Sequence, residues 1–165
     1  MDKTLDEKLV KTFPNLYKDR NGNMMETCMC WGFPGDGWFQ LIWDLSEKLE
    51  KMILEMKTQH PEMKYSPRAV QVKEKYGTLR FYMSSETDEM SKAISVAEDI
   101  SEKTCESCGK EGILFSEGWC KVRCVDCVSK EDLFNSYKLL SGQYLELWKN
   151  HQKSLSELEA EFGDG

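Results

Sequence analysis

Two pairs of cysteines, Cys105-Glu-Ser-Cys108 and Cys124-Val-Asp-Cys127, stand fifteen residues apart in this chain. A C-x-x-C turn can set two thiolates on one metal ion. Two such turns, joined by a segment long enough to fold back as a short hairpin, have the spacing of a four-thiolate zinc ribbon. Gly109 directly follows the first pair and suits its tight turn. The predicted chemistry is a tetrahedral Zn2+ site with Cys105, Cys108, Cys124 and Cys127 as ligands. Four protein ligands leave no position for water or substrate, so the zinc is expected to be structural rather than catalytic.

The other chemistry-bearing residues form no such set. The chain has seven cysteines, an odd number that reads as metal ligands plus free thiols rather than as a disulfide framework. Cys120, four residues before Cys124, is expected to be a neighbouring free thiol. Cys28 and Cys30 form a C-x-C with no companion His or Cys nearby and are expected to be thiols packed beside Trp31. The loop Gly32-Phe-Pro-Gly-Asp-Gly37 lacks the G-K-[ST] ending of a phosphate-binding turn, and Asp36 would put a carboxylate where the phosphate belongs. It reads as the turn that opens a helix, with Asp36 as N-cap. His60 precedes a proline and His151 lies near the end of the chain, neither beside a recognisable nucleophile. Asp36, Asp44 and Glu74 have no spacing that joins them. No catalytic residue is assigned, and the protein is expected not to be an enzyme.

The elements that must position the cysteines follow from periodicity. Leu5, Leu9 and Phe13 mark a short first helix that ends before Pro14. Trp38, Leu41, Ile42, Leu45, Leu49, Met52, Ile53 and Met56 form the apolar face of a longer amphipathic helix. Glu47, Lys48, Glu50, Lys51 and Lys57 occupy its other face. After the Pro61 to Pro67 connector the period changes to two. Val70 and Val72 face one side, Leu79, Phe81 and Met83 return on a second strand, and Gly77 supplies the positive φ of a hairpin turn. Ser85, with Asp88 three residues on, resembles a helix cap, and Met90, Ile94, Ala97 and Ile100 give the buried stripe of a helix that leads to Cys105. The fold class is therefore α+β: a helix-plus-β-hairpin body over residues 1–103, a four-cysteine zinc ribbon over 104–128, and a helical tail over 129–165. In the tail, Leu133, Tyr137, Leu140, Tyr144, Leu147, His151 and Leu158 fall on heptad a and d positions, with Gly142 as a kink.

Composition limits the partners. The formal net charge is −7, with a pI near 5.0, which argues against attraction to nucleic acid or anionic lipid as the main activity. A local basic face survives, since Arg68, Lys73, Lys75 and Arg80 face Glu74 alone between residues 68 and 82. Lys73, Lys75, Arg80 and Tyr82, on the outward side of the hairpin, mix cations with aromatics as nucleic-acid platforms do. A solvated strand face explains the same residues. Together with Tyr137, Tyr144 and Trp148 of the tail they are candidate interaction residues, and the tail is a candidate for homo-oligomer contact. Met1 is followed by no apolar run, and no stretch of eighteen apolar residues occurs, so a soluble cytoplasmic protein is expected.

Cys28-Met-Cys-Trp-Gly32, Gly35-Asp-Gly-Trp-Phe39, Val72-Lys-Glu-Lys-Tyr-Gly-Thr-Leu-Arg-Phe-Tyr82 and the closing C-x-x-C-G with its second C-x-x-C occur here in that order. In these strings the chain resembles a family of small, largely uncharacterised proteins of phage and prophage genomes, over roughly residues 10 to 128. The resemblance implies a viral accessory protein with an α+β body and a zinc ribbon, and brings no catalytic residues with it. The expected activity is binding of a host or phage protein, for instance to inhibit an antibacteriophage defence component. The alternative is a nucleic-acid-associated regulator that uses the ribbon and the basic hairpin face.

Overall fold

A computed structural model describes residues 1–115 and 119–128. The expected tail, including Tyr137, Tyr144 and Trp148, lies outside the described residues. The chain runs through α1 (Lys3–Thr12), two 3-10 turns (Met29–Trp31 and Asp36–Trp38), α2 (Phe39–Gln59), β1 (Ala69–Lys75), β2 (Thr78–Met83), α3 (Asp88–Ser101), β3 (Ile113–Phe115) and β4 (Lys121–Arg123). It is an α+β arrangement in which β1 and β2 form one antiparallel hairpin and β3 and β4 a second, smaller one. No helix among the described residues is long and apolar enough to cross a membrane.

The core is built on α2. Trp38, Ile42, Leu45, Leu49 and Ile53 are buried on one stripe, as their spacing requires, and α3 adds Met90, Ile94 and Ala97. The hairpin contributes Ala69, Val72, Leu79, Phe81 and Met83, and the chain around α1 closes the remaining side with Leu9, Phe13, Leu16 and Tyr17. Phe13 meets Trp43 edge-on at 5.0 Å between ring centroids. Tyr17 keeps its hydroxyl satisfied in this core by pairing with Ser46 Oγ.

Several local expectations are corrected by tertiary context. Glu50, placed on the solvated face of α2, is buried, and its carboxylate accepts from the backbone N–H groups of Asn15 (3.2 Å) and Leu16 (2.8 Å) and from the Asn15 amide. It closes orphan donors after α1, which explains a charge inside the protein. In β1 the buried residues are Ala69 and Val72 rather than Val70 and Val72, because a bulge between Ala69 and Gln71 leaves Val70 outside the register. The cap of α3 is Thr87, whose hydroxyl accepts from Met90 N–H at 3.2 Å, not Ser85. Ile100 is 49% exposed because the stripe continues instead to Ser101, which is fully buried. Asp36 does not cap α2. A 3-10 turn precedes the helix, Trp38 occupies the cap position without a side-chain bond, and the Asp36 carboxylate accepts from the N–H of Asp2. The Tyr76-Gly77 turn has positive φ at both residues, 55° and 80°, the geometry that matches the twist of a two-residue hairpin.

Candidate metal centre

The four ribbon cysteines come together as their spacing predicts. The end of α3 delivers the chain to Cys105, whose N–H donates to Lys110 O at 2.8 Å, while Gly109 N–H returns to Cys105 O at 2.8 Å. Gly109 closes this first turn with φ 77°, open to glycine without strain. The second turn is drawn the same way, with Cys127 N–H donating to Cys124 O at 3.1 Å and Val128 N–H donating to it at 3.0 Å. Between the two turns β3 and β4 pair from Ile113 with Arg123 to Phe115 with Lys121, which folds the second turn back onto the first. Glu106 N–H to Val122 O, 3.1 Å, ties the first turn to β4.

The ligand sulfurs of Cys105, Cys108, Cys124 and Cys127 all lie within 4.8 Å of one another, and Cys108 Sγ and Cys124 Sγ are 3.5 Å apart. A tetrahedron with metal–sulfur bonds of about 2.3 Å has edges of about 3.8 Å, so the cluster has the size for one ion. These four cysteines could hold a metal. Cys120 is half-buried and outside the cluster.

The thiols differ in acidity. Burial opposes ionisation of Cys105, but hydrogen bonds from the backbone of Cys124, Cys108 and Ser107 outweigh it and hold the thiol down at about 7. Burial raises Cys124, reinforced by its bond with the Cys108 thiol, and burial followed by the thiols of Cys108, Cys124 and Cys105 raises Cys127 further. Outside the cluster Lys110 pairs with Asp126 at 2.7 Å. This hydrogen bond, with lesser attraction from Cys108 and Cys124, holds its ammonium above the ordinary lysine value. Arg123 reaches Glu106 at 2.9 Å across the two turns.

The first turn is also seated on the body. Gly37 N–H donates to Glu106 O at 2.9 Å, and the indole of the fully buried Trp38 donates to Thr104 O at 2.8 Å. A Cβ on Gly37 would stand 2.2 Å from Cys105 O and 2.5 Å from Cys108 N. Glycine is demanded here by close approach of another backbone. The Gly35-Asp-Gly37 segment therefore serves as the seat of the metal turn as well as the start of α2.

The remaining candidates are dispersed. Cys28 is exposed and Cys30 half-buried, and Trp31 beside them is 73% exposed, which corrects the expectation of packed thiols. The cause is local: Cys28 N–H donates to Val70 O, and the 3-10 turn that follows spends its inward position on the fully buried Met29, which leaves Cys28 and Trp31 facing outward. Asp36 and Asp44 line one open depression while Glu74 sits at the hairpin turn, accepting from Gly77 N–H, so these carboxylates do not converge. On the hairpin, Gln71, Lys73 and Lys75 pair across with Tyr82, Arg80 and Thr78, so the expected basic face exists as one face. Arg80 is engaged there by Glu98 at 3.3 Å, and Arg68 is held by Asp19. Lys73 lies over the Tyr82 ring at 5.6 Å and Lys75 over the Tyr76 ring at 5.5 Å.

Two aromatics escaped the sequence reading. Tyr76 and Trp119 are 72% and 79% exposed and line a groove of about 410 Å³ together with Lys73, Glu74, Lys75 and Cys120. The available signal was their position: each is a large aromatic outside every apolar stripe, one in the hairpin turn and one just before β4. Fold and site together define an α+β protein with a four-cysteine cluster that could hold a metal, packed against its body. No family model, curated protein or solved structure matches the chain.

Proposed function

We propose that the protein is a non-enzymatic accessory protein of phage type that binds a host or phage protein, with an antibacteriophage defence component as candidate target, and that its tetracysteine cluster carries structural Zn2+. Four thiolates in a tetrahedral set suit zinc, and a closed shell of protein sulfurs supplies rigidity rather than reactivity. The observation that carries the binding reading is the groove beside Tyr76 and Trp119. Large aromatics left mostly in solvent are costly on an inert surface and are enriched at the centres of protein interfaces. The net charge of −7 and the engagement of Arg68 and Arg80 by carboxylates both weaken any pull on a polyanion.

A second reading, a nucleic-acid-associated regulator, draws on the same place, since Lys73 and Lys75 alternate there with exposed aromatic rings. Retention from host lysate with and without nuclease separates the two. A protein partner should remain after nuclease treatment and at 0.5 M salt, where the screening length is about half its physiological value. Loss of all retained material with nuclease, or a steep fall with salt, would favour the nucleic-acid reading. Metal analysis of the reduced protein checks the zinc.

A further inference from the structure

Among the described residues, the β1–β2 hairpin has one edge that is hydrogen-bonded to α3 and one that is largely unpaired. On β2 the N–H groups of Leu79 and Phe81 turn outward to α3, donating to Ser101 Oγ at 2.8 Å and to Glu98 Oε1 at 3.1 Å. Their cross-strand partners on β1 are Glu74 and Val72. In an antiparallel ladder, opposed residues either face their peptide groups toward each other or both turn them away. The N–H and C=O groups of Val72 and Glu74 therefore point away from β2. At the start of this edge, Val70 O is taken by Cys28 N–H at 3.1 Å. Beyond it, the outward peptide groups of Val72 and Glu74 make no hydrogen bond within the described residues.

The side chains around this edge select what can lie on it. Lys73 and Lys75 project from one face of β1, and neither has a carboxylate partner among the described residues. Edge lysines ordinarily deter strand pairing, and here they deter one partner in particular. A second copy of β1 paired antiparallel about Glu74 would set Lys73 against Lys75, a like-charge opposition that disfavours self-association. A strand with acidic residues two positions apart would instead place each carboxylate opposite a lysine. The groove beside Tyr76 and Trp119 continues along the same residues, 73 to 76, and offers apolar area.

We infer that β1 takes an extended acidic peptide of a partner protein as an added strand along Val72 to Lys75, with carboxylates opposite Lys73 and Lys75 and an apolar side chain against Tyr76 and Trp119. Main-chain bonds to Val72 and Glu74 supply affinity, and alternate side chains supply selectivity. The inference rests on the protein-binding reading above and names the mode and chemistry of that binding.

The test uses the full zinc-loaded chain, labelled with 15N, and a blocked ten-residue peptide alternating Glu and Val. Saturable shifts are expected at the Val72 and Glu74 amides and at the Trp119 indole. With the peptide antiparallel to β1 and Glu opposite the lysines, the peptide N–H groups that bond to β1 belong to the Val positions. N-methylation of those nitrogens should weaken binding by more than about tenfold, as removal of two or more hydrogen bonds implies, and N-methylation at the Glu positions should not. Lys73→Glu/Lys75→Glu should reverse the preference toward a peptide alternating Lys and Val. Equal loss from either methylation pattern, shifts centred elsewhere, no binding, or stronger occupation of the same residues by an oligothymidylate would each overturn the inference. If the Lys73→Glu/Lys75→Glu chain retains the same lysate protein as the unmodified chain, strand addition is wrong while protein binding stands. If the unmodified chain retains no protein, the broader reading fails.

Discussion

Gly37→Ala asks whether the metal turn is sealed into the body or merely lies near it. The added methyl would sit 2.2 Å from Cys105 O and 2.5 Å from both Cys108 N and Gly109 N. Ordinary contact begins near 3.4 Å, so the two backbones must part by about 1 Å, and all three neighbours are backbone atoms that cannot swing aside as a flexible side chain can. Parting them stretches Gly37 N–H to Glu106 O and Trp38 Nε1 to Thr104 O, now 2.9 and 2.8 Å. Two such bonds contribute about 1 kcal/mol each, and overpacking costs about 1–3 kcal/mol. A total near 3–5 kcal/mol is expected, or a fall in Tm of about 6–20 °C for a chain of this size.

The assay that isolates the cause is paired melting of zinc-loaded and chelator-stripped protein. Gly37 carries no positive φ, so alanine adds no backbone strain and the penalty must come from the neighbouring turn. The loaded protein, whose turn is fixed by metal, should lose most of the stability. The stripped protein, whose turn can yield, should lose much less, and the difference should reappear as weaker zinc retention, tenfold for about each 1.4 kcal/mol. An equal fall in both forms would show that Gly37 serves only the body. No fall in either would show that the turn does not rest there at all.

Cys105→Ser and Cys124→Ser should each lose the one zinc per chain, whereas Cys120→Ser, outside the cluster, should keep it by metal analysis. Trp38→Ala and Leu45→Ala should cost about 2–5 kcal/mol in urea unfolding, by emptying fully packed sites, with Trp38→Phe milder because it mainly removes the bond to Thr104. Glu50→Ala should cost about 2–4 kcal/mol in the same assay, since it leaves the Asn15 and Leu16 donors unpaired. Deletion of residues 129–165 should leave a folded, zinc-loaded chain by circular dichroism and metal analysis, because Cys105, Cys108, Cys124, Cys127 and the buried stripe of α2 all precede residue 129; loss of folding would refute that self-sufficiency.

What was legible in the sequence is what is set within one element or by spacing along the chain. The stripe from Trp38 to Ile53 repeats at helical period, Gly77 marks a turn by its own backbone need, and the C-x-x-C pairs carry their ligand geometry in their spacing. What was missed depends on a partner distant in sequence. Glu50 looks solvated on a helical wheel, and it is the open amides after α1, 34 positions away at Leu16, that draw it inside. Val70 looks like Val72 until β2 fixes the register and leaves it in a bulge. Thr87 displaces Ser85 as cap because α3 begins at Asp88.

The glycines show why the candidate site itself was only half visible. Gly37 and Gly77 each signal a place where a side chain is not wanted, but a sequence does not say whether the obstacle is torsional or a neighbour. At Gly77 it is both: φ is 80°, and a Cβ would also meet Leu114 Cδ1 of β3 at 2.4 Å. The small hairpin is thus seated against the large one, at Gly77, and the metal turn against the start of α2, at Gly37. The groove lies where the first of these contacts ends, with Lys73 to Tyr76 on one wall and Trp119 and Cys120 on the other. Its width is consequently governed by the placement of β4, which Cys124 and the first metal turn hold from the far side through Glu106 N–H to Val122 O. The four-cysteine cluster in this way sets the shape of a groove it does not line.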